Sequence, residues 1–147
     1  MYMSKTISLP IARPPAEVYD FVLEPRNYPR WAAALGGRFE HVEGRDWRAE
    51  TPYGLVTIRF SERNDFGIFD HALFGEGEEP MTRRARVVPN GDGCELLYTL
   101  FKHDDLSVEA FESEAEWTAT ELAVLKTYLE LRNHDPDDFG PAPVPPG

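Results

Sequence analysis

Three side chains spread along the sequence have the chemistry to handle a small oxygenated molecule: His71, Arg86 and Tyr98. An imidazole on the inward face of a strand titrates near neutral pH and suits proton transfer on an enolisable ligand. An arginine fork fits a carboxylate or enolate through paired N–H donors. A phenol offers one hydroxyl to a ligand oxygen. Each has a plain structural alternative: a histidine satisfied by a neighbouring strand, an arginine paired with a carboxylate such as Asp70, a core tyrosine with a satisfied hydroxyl. Trp31, Phe60 and Phe69 are the apolar candidates to line a ligand site, Trp31 as entrance or as core; Phe111 on the C-terminal helix completes the set, although it fits core equally well.

No stronger catalytic signature is present, neither a phosphate-binding glycine loop, nor a helical zinc-binding histidine pair, nor a nucleophile elbow. Gly75-Glu76-Gly77 is followed by Glu78 and Glu79, which repel phosphate, so it reads as a turn. The histidines at 41, 71, 103 and 134 lack ligand spacing, so neither a metal nor an organic cofactor is expected. Cys94 is the single cysteine; it has no flanking cation to activate it, and its isolation suits a reducing cytoplasm.

The elements that must position these residues follow from periodicity and turn chemistry. A first strand runs over Lys5–Pro10. Pro14 and Pro15 then open a short helix with Val18, Phe21 and Val22 on one face, and Pro25 stops it. A second short helical piece covers Arg26–Ala34. Six alternating segments follow: Arg38–Val42, Asp46–Glu50, Leu55–Glu62, Phe66–Phe74, Thr82–Val88 and Cys94–Lys102. Short links, explicit at Thr51–Gly54 and Pro89–Gly93, imply antiparallel pairing. Alternation sends Val56, Ile58 and Phe60 inward, then Phe69, His71 and Leu73, then Leu96, Tyr98 and Leu100. For the sixth strand two registers compete, one burying Arg84 and Arg86, the other Arg83, Ala85 and Val87.

The last element is a helix over Ser107–Arg132, about 39 Å long at 1.5 Å per residue. Val108, Phe111, Ala115, Thr118, Leu122, Leu125 and Leu129 step by three and four into one stripe, with the small Ala115 and Thr118 at its middle. Glu109, Glu112, Glu114 and Glu116 read as its solvated face.

The chain has 147 residues, enough for one domain, with 15 basic and 26 acidic residues for a net charge of −11. Residues 1–103 carry 13 basic and 15 acidic groups, while residues 104–147 carry 2 and 11. Phosphate backbones repel such a chain, so nucleic acid is not an expected partner. No apolar run approaches the ~18 residues of a membrane span, and the first ten residues lack signal-peptide character. Residues 135–147 form a proline-rich tail expected to be extended and mobile.

RPPAEVYDFVLEPRNYPRW (13–31), RNDFGIFDH (63–71), ARVVPNGDGCELLYTLF (85–101) and EWTATELAVLKTYLE (116–130) resemble the START-like helix-grip superfamily, in the small bacterial branch similar to polyketide cyclases and lipid-transfer domains. GEGEEPMTRRA (75–85) is more charged than that pattern. The resemblance implies an α+β fold over residues 1–134: a curved seven-stranded antiparallel sheet with two short helices, wrapped around a long C-terminal helix. It further implies a cavity for a small apolar molecule such as a polyketide, an aromatic or a lipid-like metabolite, in a monomer or a homodimer. An alternative implication is a cyclase or dehydratase in which His71 moves the proton and Arg86 or Tyr98 steadies the enolate. A second is a protein-interaction module, similar to chaperone co-factors, that works through its acidic helix face.

Overall fold

A computed structural model describes residues 1–32, 37–51 and 54–131. The expected tail, the end of the second helical piece and the centre of the Thr51–Gly54 turn lie outside the described residues. Strands β1 (Ser4–Ile11), β2 (Phe39–Glu43), β3 (Asp46–Thr51), β4 (Gly54–Phe60), β5 (His71–Phe74), β6 (Met81–Asn90) and β7 (Gly93–Phe101) form one antiparallel sheet. Its order is β1-β7-β6-β5-β4-β3-β2, so the first strand closes beside the last. Helix α1 (Pro15–Leu23) and a 3-10 turn (Pro25–Arg30) connect β1 to β2, and helix α2 (Val108–Leu131) follows β7. This is the α+β helix-grip arrangement. Among the described residues no helix is long and apolar enough to cross a membrane.

Local chemistry sets the ends of these elements. Pro15 occupies the first turn of α1, where a missing N–H costs nothing, and Glu24 is extended before Pro25. Ser107 caps α2, its Oγ accepting from the Ala110 N–H at 3.1 Å. At the other end of α2, Glu130 accepts from Lys126 Nζ at 2.9 Å and from the Ala12 N–H at 2.7 Å, which ties the helix to the end of β1.

The fifth strand is shorter than its sequence pattern implied. Residues 61–70 form a folded loop instead, joined to β6 through an isolated Ile68–Arg86 bridge. The Asn64 side chain accepts from the Phe66 and Ile68 N–H groups and donates to the Ile68 carbonyl at 2.8 Å, a local turn that outcompetes strand extension. Gly67 makes that turn possible, with φ at +72° and its Cα so close to β6 that an added Cβ would lie 2.4 Å from the Val87 carbonyl oxygen.

The core lies between the inner face of the sheet and the stripe of α2, with α1 and the 3-10 turn covering one end. Ile58, Leu96 and Leu100 from the sheet and Leu122, Leu125 and Leu129 from α2 are fully buried. The stripe contains one residue that the apolar pattern omits, Glu121, which is buried beside Leu122.

Candidate functional site

Beta-strands β5, β6 and β7 bring three polar side chains together beneath α2. His71 on β5 stands directly across from Arg83 on β6, and Ala85 on β6 stands across from Tyr98 on β7. Residues opposite one another in an antiparallel pair share a face, so His71, Arg83 and Tyr98 all project inward. The hairpin turn selects this register: Asn90 pairs with Gly93 around Gly91, whose φ is +60°, and stepping back along both strands pairs Ala85 with Tyr98. Arg83, Ala85 and Val87 therefore take the inner face. Arg86 takes the outer one, where it is exposed and donates through Nε to the Phe66 carbonyl at 3.0 Å. The structure does not bring Arg86 to His71 and Tyr98; Arg83 stands there in its place.

A continuous chain of hydrogen bonds links the group. His71 Nδ1 lies 3.1 Å from the Phe69 carbonyl oxygen, which can only accept, so Nδ1 carries the proton. Nε2 is then the acceptor, taking the Tyr98 hydroxyl proton at 2.7 Å. The Tyr98 oxygen in turn accepts from Arg83 Nη1 at 3.3 Å, and Arg83 Nη2 reaches Glu114 Oε1 on α2 at 3.0 Å. Exposure rises along the chain, from 2% at His71 to side-chain values of 18% at Arg83 and 34% at Glu114. Glu114 thus belongs to the inner cluster, which corrects its reading as part of the solvated helix face: seven residues before Glu121, it lies on the flank of α2 that looks toward β6.

Burial controls the charges. Desolvation pushes the His71 imidazole down to about 4, with the neighbouring Arg83 charge acting in the same direction and the Phe69 carbonyl opposing. His71 is therefore neutral at pH 7 and does not titrate near neutrality as its residue type alone suggested. Desolvation raises the phenols of Tyr28 and Tyr98. Burial works against the Arg83 charge, but Tyr98, Tyr28 and Glu114 outweigh it and raise its pKa above the usual arginine value. Burial pushes the Glu121 carboxyl up to about 7, against the pull of Arg83 and the adjacent Trp117 indole. The group that ionises near neutral pH is thus Glu121.

Aromatic rings wall the polar chain. Tyr28 meets His71 edge-on with ring centroids 5.4 Å apart, and meets Phe60 and Trp31 edge-on at 5.4 and 5.0 Å. Phe69 and Phe60 stack on His71 at 6.3 and 6.2 Å, and Phe69 lies tilted against Tyr98 at 6.4 Å. Of the apolar residues singled out from the sequence, Phe60 and Phe69 therefore lie against the His71–Tyr98 pair, and Trp31 joins the shell through Tyr28. Phe111 is buried in the core near the start of α2. Arg83, Glu114, Glu121 and Tyr28 were not singled out. The signal for Arg83 was the hairpin turn; for the glutamates it was their i, i+7 spacing along the flank of a stripe that is small at its centre.

Among the described residues no group of three or more histidine, cysteine or carboxylate side chains could hold a metal ion. A cleft of about 450 Å³ is lined by Glu43, Gly44, Arg45, Asp46, Arg59, Phe60 and Glu62, so it shares Phe60 with the aromatic shell but none of the polar residues of this cluster. Its charges are largely satisfied, with Arg59 clasping Asp46 at 2.9 and 3.1 Å and Arg45 bonded to the Ser61 and Leu23 carbonyls.

No protein-family model matches the sequence, and no curated protein matches it. Solved structures do. XoxI from Bacillus cereus superposes with a TM-score of 0.69 at 17% identity, covering 89% of this chain and 99% of that one. The Aha1 dimer from Colwellia psychrerythraea gives 0.68 at 12%, covering 88% and 97%. DynU16, a protein of the dynemicin biosynthetic locus, gives 0.61 at 18%, covering 87% of this chain and 47% of its own. These likenesses establish the helix-grip fold and leave the ligand to the chemistry of the site.

Proposed function

We propose that this protein binds a small, mostly apolar molecule between the inner face of the sheet and helix α2, with polar atoms of that molecule directed at Arg83 and Tyr98. The observation that carries this reading is the hydrogen-bonded run from His71 through Tyr98 to Arg83, held inside an aromatic shell. A half-buried arginine paired with a partly exposed carboxylate adds little to the stability of a core, since desolvation and solvent screening offset much of the attraction. Strongly shifted groups gathered at one interior place are more often found at functional sites. Contact with Tyr98 and Glu114 engages two of the five guanidinium N–H donors of Arg83, and the others suit a ligand oxygen. His71 accepts the Tyr98 proton and so fixes the phenol, which makes it a positioning residue in this reading. Burial of ligand carbons against Tyr28, Phe60 and Phe69 would supply most of the affinity. A metabolite as ligand is in keeping with the biosynthetic locus of DynU16.

The Glu121 carboxyl favours a second reading. Held at about 7, it is present in both protonation states at neutral pH, as a general acid–base requires. In a cyclase or dehydratase of this design Glu121 moves the proton, while Arg83 and Tyr98 steady the developing enolate.

Titration with 1-anilinonaphthalene-8-sulfonate tests the binding reading. Saturable one-to-one binding with blue-shifted emission, weakened at least about fivefold (about 1 kcal/mol) by Arg83→Met, is expected. Absence of saturable binding by the folded protein, or binding indifferent to Arg83→Met, would overturn it.

A further inference from the structure

Buried polar groups on the inner side of this fold are matched with care. Asn27 Nδ2 donates to the Phe21 carbonyl at 3.1 Å, both nitrogens of His71 are engaged, and the Thr118 hydroxyl donates to the Glu114 carbonyl at 2.8 Å. Trp31 breaks the pattern. It is only 3% exposed, yet its Nε1 has no hydrogen-bond partner among the described residues. Buried indole N–H groups nearly always find an acceptor, and an orphaned one calls for an explanation.

Its position supplies one. Trp31 ends the 3-10 turn, its backbone N–H donating to the Tyr28 carbonyl at 3.2 Å, and its ring stands edge-on to Tyr28 with centroids 5.0 Å apart. Tyr28 itself stands edge-on to His71. The unpartnered donor is therefore one ring removed from the His71–Tyr98–Arg83 chain and belongs to the same aromatic shell. An indole N–H can only donate, so whatever completes it must accept.

We infer that the ligand presents an accepting oxygen, such as a ketone or ester carbonyl, to Trp31 Nε1, and that Trp31 selects such molecules over hydrocarbons of the same shape. This rests on the interior binding proposed above and adds to it a specificity residue and a ligand class. A carbonyl satisfies the indole donor, whereas an isosteric hydrocarbon leaves it unpaired in a dry site. That difference is worth about tenfold in affinity.

Two probes of equal shape test it: 2-acetonaphthone, which has the carbonyl, and 2-isopropenylnaphthalene, which has a methylene in its place. The chain has three tryptophans, so the indole N–H region of a ¹⁵N-labelled spectrum holds few peaks, and Trp31→Phe identifies its own by removal. The ketone is expected to bind about tenfold tighter than the hydrocarbon and to shift the Trp31 indole resonance downfield, with the hydrocarbon producing no such shift. Trp31→Phe is expected to equalise the two affinities; should that variant fail to fold, Trp47→Phe and Trp117→Phe identify the Trp31 resonance by elimination, and its shift in the unaltered protein decides. Equal affinities with no ketone-specific shift would overturn the inference and leave interior binding standing, as would a discrimination that survives in Trp31→Phe. Binding of neither probe would overturn interior binding and the inference together.

Discussion

At the scale of single residues, type and setting pull in opposite directions. A histidine is the usual neutral-pH switch and a glutamate the usual solvated charge, yet burial exchanges their behaviour here, lowering His71 to about 4 and raising Glu121 to about 7. Linkage makes this measurable. Between about 4.5 and 7 the folded chain holds a proton on Glu121 that the unfolded chain has lost, so this residue lowers stability as pH rises through that window. Between about 4 and 6.5 the unfolded chain holds a proton that folded His71 lacks, so His71 raises stability as pH rises. The two trends oppose one another where they overlap. Removing one exposes the other: Glu121→Gln should be more stable than the unaltered protein by about 2 kcal/mol at pH 8, with the difference vanishing toward pH 4, as read by urea unfolding. Equal stabilities at pH 8 would mean that Glu121 is not held in its protonated form by burial. The sequence showed His71, Tyr98, Phe60 and Phe69 through strand alternation, because a period of two is sharp, and Trp31 as an aromatic of the second helical piece. It could not show the charge states, which depend on the number of layers lying above each residue.

At the scale of elements, the strand edges and helix flanks decided what could be read. Alternation left two registers open for β6, and the Asn90–Gly93 hairpin chose the one that turns Arg83 inward and exposes Arg86. The fifth strand was overextended because Phe66, Ile68 and Asp70 keep an alternating pattern while Asn64 and Gly67 fold the backbone into a loop against β6. Gly67→Ala should destabilise the protein by about 3 kcal/mol, because both its positive φ and its approach to the Val87 carbonyl oppose a side chain; a thermal scan showing no change would contradict the close contact. On α2 the small residues Ala115 and Thr118 lie at the centre of the buried stripe. Ala115→Leu separates a ligand-accepting interior from a filled one. With room opposite the helix, stability should change by less than about 1 kcal/mol while anilinonaphthalene sulfonate binding is lost; overpacking a filled core would cost about 1–3 kcal/mol instead.

At the scale of the whole molecule, the fold follows from the order of its elements more than from any one motif. A first strand that closes beside the last, short antiparallel links and a long terminal helix leave few ways to bury the α2 stripe, and the grip is the one adopted. The charge distribution gains meaning at this scale. Most of the acidic excess lies after residue 103, on the outer face of α2 and beyond, yet Glu114 and Glu121 from the same segment turn inward and set the electrostatics around Arg83. Arg83, with Glu114 paired to it and Glu121 near its midpoint, is the cation that an oxygen-bearing ligand would meet in the proposed site. Isotope-filtered nuclear Overhauser spectroscopy on the complex with 2-acetonaphthone reports directly where such a molecule sits. Binding within the grip predicts contacts from the naphthyl protons to Tyr28, Tyr98 and Ala115. Contacts confined to exposed apolar residues such as Leu55, Phe66 and Trp117 would contradict it.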